Sequence, residues 1–248
     1  MRDGTGPLAL VGAALFTVFF YAWTFVLSAL VLPAYPFLSG RGMRAVARFW
    51  AGGILGGLRV FTGVGHEVRG TPPATPVIIA AKHQSAWETF AFFRLVRDLS
   101  VGLKHELTRI PVFGWYLMRG GAIRIDRGGA ARALRSLVDG GRAAAARGCS
   151  VLIFPEGTRR APGDPPDYKP GVAALYAALG LPVVPVALNS GLYWGRRSFR
   201  KRPGRIVVEF LEPIPPGLPR RAFMAELERR IEEATARLVA EGRAGMSP

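Results

Sequence analysis

The sequence predicts an α/β protein with a mostly parallel sheet flanked by helices and an N-terminal membrane-associating helical segment. Two patterns predict this. From Val64 onward, short apolar runs alternate with helical patterns, the order that builds a sheet covered on both faces. Ahead of them, Leu8 to Leu32 carries no charged residue. Half of the 248 residues are apolar, ample for a single core. The expected organisation is a membrane-anchoring helical part over residues 1–62 and one α/β domain over 63–248.

Taken in order, the Leu8–Leu32 run is long enough, at about 1.5 Å per residue, to cross a bilayer core of about 30 Å. Tyr21 and Trp23 fall near its middle rather than at its ends, so it lacks the aromatic belts of a simple span. It is longer than the apolar part of a usual signal peptide, and Met1-Arg2-Asp3 brings little positive charge. Pro33 and Pro36 break it. Arg41, Arg44 and Arg48 then precede an apolar stretch (Phe49, Trp50, Ile54, Leu55, Leu58) that closes on Arg59. Gly52, Gly53, Gly56 and Gly57 make this second segment a poor free helix. Its basic ends and apolar middle suit a helix at an anionic surface; an ordinary core helix with a solvated end is the competing reading. Either as a span or as a hairpin in one leaflet, the basic residues after the first segment place the rest of the chain on the cytoplasmic side.

Beyond this, strands are predicted at Val64–Arg69 (an edge), Val77–Ala81, Ser100–Lys104, Ala122–Asp126, Ser150–Phe154, Val183–Leu188 and Ile206–Leu211. Helices are predicted at Ala86–Arg97, Pro111–Met118, Ala130–Arg147, Val172–Leu179 and Arg220–Val239. Arg196 to Arg205 is a basic loop with six Arg or Lys, and Pro213, Pro215, Pro216 and Pro219 stiffen the connector after it.

The net charge of +16, mostly arginine, implies an anionic partner: nucleic acid, an anionic membrane surface or a phosphorylated substrate. Aromatic residues sit in the apolar segments rather than among the basic runs, which argues against a single-strand nucleic-acid platform; no nucleic-acid partner is expected. The lone cysteine, Cys149, opens an apolar strand and reads as buried, and it excludes an intrachain disulfide. Three histidines and no cysteine cluster argue against a zinc site; no metal and no cofactor are expected.

Ligand sites in open α/β sheets collect at the carboxyl ends of strands, and three predicted strand ends carry unusual polar residues. The first is Lys82-His83-Gln84-Ser85-Ala86-Trp87-Glu88, where His83 and Glu88 stand five apart. A carboxylate on one imidazole nitrogen fixes the tautomer and leaves the other nitrogen able to take a proton from a hydroxyl. Ser85-Ala86-Trp87-Glu88 also fits a capping box, in which Glu88 reaches back to a free helix amide; one carboxylate has two oxygens and can do both. The second is Ile125-Asp126-Arg127, where Arg127 is the expected ligand contact while Arg124 and Asp126 share a face and can pair. The third is Phe154-Pro155-Glu156-Gly157-Thr158-Arg159, where Gly157 lets backbone approach a ligand and Arg159 offers a guanidinium fork for phosphate. A solvated basic loop is the bland reading of Arg159 and Arg160.

These stretches resemble the glycerolipid acyltransferase family, specifically the bacterial 1-acylglycerol-3-phosphate (lysophosphatidate) acyltransferases. His83 to Glu88 is similar to the family's H-x4-D block, Gly121 to Arg127 to its second block, Phe154 to Arg159 to F-P-E-G-T-R without a mismatch, and Val184 to Gly191 to its proline-containing fourth. Lys104-His105-Glu106-Leu107, followed by Pro111 and Gly114, resembles its K-x-E-L stretch. One departure is that Glu88 stands where the family has aspartate, one methylene longer. The resemblance implies transfer of a fatty acyl group from acyl-CoA or acyl carrier protein to the free hydroxyl of lysophosphatidate, giving phosphatidate at the cytoplasmic membrane. His83 would be general base and Glu88 its orienting partner. Arg159, with Arg127 and Lys104, would bind the acceptor phosphate, and Glu156, Gly157 and Thr158 would shape that site. The chain has no G-x-S-x-G elbow, so nothing suggests a covalent acyl-enzyme. Two alternatives stay open: the same chemistry on another lyso-lipid, such as lyso-ornithine lipid or lysophosphatidylcholine, and a non-catalytic basic protein that binds anionic membranes.

Overall fold

A computed structural model describes residues 6–126 and 128–246. Helix α1 (Pro7–Val31) starts with proline at its first turn, where the missing N–H costs no hydrogen bond. The proline-containing stretch Leu32–Phe37 turns as a 3₁₀ segment into α2 (Gly40–Thr62). The Ser39 side chain caps α2 by accepting from the Gly42 amide at 3.1 Å, and Gly63, in the left-handed region at φ 70°, ends it.

The glycines that make α2 a poor free helix are where α1 packs. A Cβ at Gly57 would collide with the Phe19 ring, and one at Gly53 with the Trp23 indole. Residues four apart on one helix therefore receive aromatic rings four apart on the other. The indoles bridge the pair reciprocally: Trp23 Nε1 donates to the Trp50 carbonyl (3.1 Å), and Trp50 Nε1 to the Thr24 hydroxyl (3.0 Å). Tertiary packing here overrides the low helix propensity of glycine.

The rest of the chain gives β1 (Val64–Arg69), β2 (Ile78–Ala81), α3 (Trp87–Leu95), β3 (Leu99–Lys104), α4 (Phe113–Gly120), β4 (Ile123–Ile125), α5 (Ala130–Ala146), β5 (Ser150–Ile153), α6 (Gly171–Leu179), β6 (Val183–Leu188), β7 (Gly204–Phe210) and α7 (Arg220–Ala244). The sequence pattern predicts each of these. It places α4 two residues early, because a short 3₁₀ turn (His105–Arg109) precedes it, and ends α7 more than a turn short.

The sheet has seven strands in the order β1-β7-β6-β2-β5-β3-β4. β6, β2, β5, β3 and β4 are mutually parallel, while β7 joins β6 antiparallel and carries β1 parallel to itself. Alternate side chains feed two cores. Ile79 and Ala81 face α2 and α3 (Ile54, Leu58, Trp87, Phe92); Ile78 and Ala80 face α5, α6 and α7 (Leu137, Leu175, Phe223, Leu227). Cys149 is fully buried.

The hairpin of α1 and α2 lies over the α3 face. On that side Phe20 meets Phe90 with ring centroids 5.6 Å apart, and Phe16 meets Trp194 at 5.7 Å. Its other side leaves Leu8, Val11, Leu15, Val18, Phe25 and Leu30 exposed, one contiguous apolar stripe at helical spacing. The stretch Pro7–Phe37 is long and apolar enough to cross a membrane, with a mean hydropathy of 2.1.

Replacing Gly57 with leucine is expected to force Phe19 out of its seat. Overpacking of this kind should cost about 1–3 kcal/mol, read as a lowered denaturation midpoint together with a shift in tryptophan emission from the Trp23–Trp50 pair. An unchanged midpoint would show that the hairpin does not depend on this close approach.

Candidate active site

Because β6, β2, β5, β3 and β4 are parallel, their carboxyl ends share one edge of the sheet, and the residues after each end converge there. β2 delivers Lys82 and His83, β5 delivers Phe154 to Glu156, and β6 delivers Asn189 and Ser190.

Glu88 is in the first turn of α3 and fully buried. Its Oε1 accepts the amides of Gln84 and Ser85, both at 2.6 Å, and lies 3.0 Å from His83 Nδ1. Its Oε2 accepts the Ser190 hydroxyl at 2.8 Å. Ser85 Oγ accepts the Trp87 amide at 3.2 Å. Only half of the expected box forms: Glu88 takes the Ser85 amide, but the N-cap is Ala86, whose side chain makes no capping bond; the same Glu88 oxygen also meets the imidazole. A carboxylate only accepts, so the proton sits on His83 Nδ1 and Nε2 is left as an acceptor. The Phe154 ring stacks on the imidazole with centroids 4.0 Å apart and planes 14° from parallel, which fixes the ring's plane as Glu88 fixes its rotation.

The backbone of His83 is held by the third motif. Its amide donates to Glu156 Oε2 at 3.1 Å, and its carbonyl accepts the Arg160 amide at 2.8 Å. Glu156, expected to shape the acceptor site, is turned inward: it is buried, and Oε1 pairs with Lys82 Nζ at 2.8 Å. Burial pushes its carboxyl above the ordinary range, more strongly than Lys82 and the His83 amide pull it down. Lys82 also bonds both oxygens of Glu232 on α7, at 2.8 and 2.9 Å, and the Tyr168 hydroxyl donates to Glu232 at 2.9 Å. Burial and the neighbouring carboxylates push the Tyr168 phenol up, keeping it a neutral donor.

Gly157 occupies the left-handed region at φ 65°, making the tight turn in which its amide donates back to the Phe154 carbonyl at 2.9 Å. Thr158 is exposed. Arg159 is half-buried at a cavity of about 320 Å³ between α1, α2, α3, β3 and α4, whose wall is largely apolar: Leu27, Trp50, Phe90, Phe93, Val101 and Tyr116 among others. Of the two arginines in that wall, Arg44 is paired with Asp98 at 2.8 Å, while Arg159 has no carboxylate partner among the described residues. Arg160 is not a solvated loop residue either: its side chain is 26% exposed and pairs with Asp167 at 2.6 Å.

Lys104 ends β3 opposite Ile125; its side chain, like Arg127 as a whole, lies outside the described residues. Arg124 and Asp126 do not form the expected pair; Asp126 instead accepts the Gly128 amide at 2.8 Å, closing the turn into α5.

Sequence pattern does not single out Lys82, Ser190 or Glu232 for a role. Lys82 carries a signal, since a lysine directly after Ile78-Ile79-Ala80-Ala81 is drawn into the core and must find a carboxylate there. Ser190 carries a weaker one, as a hydroxyl just past a buried strand. Glu232 carries none within its amphipathic helix.

Comparison with known proteins gives one answer. Residues 65–189 match the family model described as Acyltransferase. The chain is 38% identical over 237 residues to a 1-acyl-sn-glycerol-3-phosphate acyltransferase of Pseudomonas aeruginosa, covering 92% of this chain and 91% of that one. It is 29% identical over 163 residues to the human 1-acyl-sn-glycerol-3-phosphate acyltransferase beta, covering 63% and 58%. Its fold matches the crystal structure of the 1-acyl-sn-glycerophosphate (LPA) acyltransferase from Thermotoga maritima with a TM-score of 0.73 at 21% identity, over 91% of this chain and 95% of that one.

Lys82→Met is expected to leave the Glu156 carboxylate buried without its cation and to cost about 3–5 kcal/mol in denaturant unfolding. Adding Glu156→Gln, which needs no cation, should recover part of that loss. A double variant no more stable than the single one would mean that the pair's charge is not what fixes this strand end.

Proposed function

The chain belongs to the acyltransferase family, and from that premise we propose that it moves a fatty acyl group from an acyl thioester, acyl-CoA or acyl carrier protein, to the free sn-2 hydroxyl of 1-acylglycerol-3-phosphate, giving phosphatidate. The observation that carries this reading is the Glu88–His83 pair at the strand ends, together with an apolar cavity lined in part by α3, whose wall holds Arg159 without a carboxylate partner among the described residues.

The chemistry follows from the geometry. His83 Nε2 takes the proton of the acceptor hydroxyl as its oxygen attacks the thioester carbonyl, and Glu88 stabilises the imidazolium that forms. The C–O bond forms, the C–S bond breaks, and the proton passes from His83 to the departing thiolate. Arg159 holds the acceptor's phosphate as a guanidinium fork, and the motif resemblance assigns Lys104 and Arg127 to add positive charge. Gly157 and Thr158 form the exposed turn that lets the acceptor approach, and Glu156 acts behind them on the His83 backbone. The cavity beside α3 takes an acyl chain, where each buried methylene contributes about 0.8 kcal/mol.

The apolar stripe of α1 supports a membrane-bound protein. The middle of α1 packs on α2, Phe90 and Trp194 while most of the helix stays uncovered, which supports a hairpin lying in one leaflet of the cytoplasmic membrane with its stripe in the acyl region. Arg41 and Arg48, at the start and along the side of α2, meet anionic headgroups, and the catalytic residues face the cytoplasm. A purely membrane-binding role leaves the tautomer-fixing carboxylate and the stacked imidazole without a purpose.

Two measurements test this. His83→Ala should lower acyl transfer by at least about 10²-fold while vesicle binding is retained; surviving activity would remove the general-base role. In a panel of lyso-acceptors with both donor types, Arg159→Ala should raise the KM for lysophosphatidate by about tenfold or more and leave the donor KM within about twofold. Equal losses on both substrates would make Arg159 structural, and faster turnover of a zwitterionic lyso-lipid would replace lysophosphatidate as the acceptor.

A further inference from the structure

We propose that Glu232, on the C-terminal helix α7, is a positioning residue for His83, acting through Lys82 and Glu156. The proposal rests on the acyl-transfer reading of His83.

The β2 ladder ends one residue before the histidine. The Lys82 amide still donates to the Val186 carbonyl of β6 at 2.9 Å, but the next amide, that of His83, has no strand partner and donates to the Glu156 side chain instead. A carboxylate thus continues the ladder by one step, and its orientation sets where the His83 backbone sits. Glu156 has two oxygens: one takes the His83 amide and the other takes Lys82 Nζ. The aim of Glu156 therefore depends on where the ammonium is held.

That ammonium is held by Glu232. Both of its oxygens accept from Nζ, and Tyr168 fixes the carboxylate in turn with a hydroxyl bond at 2.9 Å. Lys82 is 2% exposed and Glu156 not at all, while Glu232 is 26% exposed. The chain of contacts runs from the half-open α7 surface inward to the catalytic residue. Without Glu232, Nζ keeps one carboxylate and gains freedom to turn, and Glu156 follows it. Proton transfer from an alcohol needs hydrogen-bond reach at a defined angle, and displacements of about 1 Å at such a group cost up to about 10²-fold in rate. Substrate contacts lie elsewhere, at Arg159 and the apolar cavity, so the loss falls on kcat and not on KM.

The test compares Glu232→Ala with Leu227→Ala, a fully buried core residue on the same helix. Both are assayed well below their melting temperatures, with His83→Ala in the same assay. Glu232→Ala should lower kcat by about tenfold with both KM values within about twofold, Glu232→Gln, which retains an acceptor oxygen for Nζ, should lose less, and Leu227→Ala should lower the melting temperature yet keep kcat within about twofold. If Glu232→Ala does not fold, Tyr168→Phe, which removes only the hydroxyl that orients Glu232, should reduce kcat by about threefold. A Glu232 variant with unchanged kcat, or a Leu227→Ala loss as large, overturns the positioning role. An active His83→Ala would instead overturn the acyl-transfer reading on which it stands.

Discussion

The site depends on one buried carboxylate. Glu88 is fully shielded from solvent, and a charge in that position is tolerated only if its lone pairs are taken. They are: two turn amides, an imidazole and a hydroxyl surround it. These donors come from the β2–α3 turn and from the end of β6, which are adjacent because β6 and β2 pair in the sheet. Satisfying one charge therefore pins together the turn, the first turn of α3 and the neighbouring strand end. Charge-assisted bonds of this kind are short and directional, so the imidazole they meet is placed before any substrate arrives. Preorganisation of that sort is what lets a general base work without reorganising at the moment of transfer.

The α1–α2 hairpin and the cavity follow from a second constraint, the shape of α2. A helix rich in glycine cannot hold itself together in water, but its missing side chains are the slots for Phe19 and Trp23. With α1 seated there, the aromatic rings that remain reach α3 and Trp194. The hairpin thereby becomes one wall of the cavity, and α3, which carries Glu88, becomes another. In the proposed reaction, an acyl chain in that cavity and the carboxylate that orients His83 would share one helix, α3.

Most elements were legible in the sequence because they rest on local physics: apolar periodicity and proline breaks. The sequence also marks His83, Glu88 and the F-P-E-G-T-R turn as unusual polar groups near strand ends, and the structure brings them together. The strand order was not legible. The reversal of β7 against β6, and the insertion of β2 between β6 and β5, are non-local pairings that no window of sequence contains. What depends on that order was hidden with it. Ser190 meets Glu88 only because β6 neighbours β2, and Glu232 lies 150 residues from Lys82. Glu156 shows the limit from the other side: its motif marks it as a residue of interest, but only burial reveals that it faces the backbone of His83 and leaves the solvent side to Arg159 and Thr158.

The longer acid at position 88 is where local and functional demands meet. A capping box wants a carboxylate three residues after the cap, long enough to curl back over the first turn and meet the free amides. Glutamate is suited to that, and here its Oε1 takes the amides of Gln84 and Ser85 while also meeting His83. The curl that lets the side chain cap the helix is what brings its oxygen under the imidazole, because His83 immediately precedes those two amides in the chain. Its Oε2 then points across to β6 and finds Ser190. The capping reading and the catalytic reading of this residue do not compete. The turn amides and Ser190 hold the carboxylate in place, and the carboxylate holds the histidine.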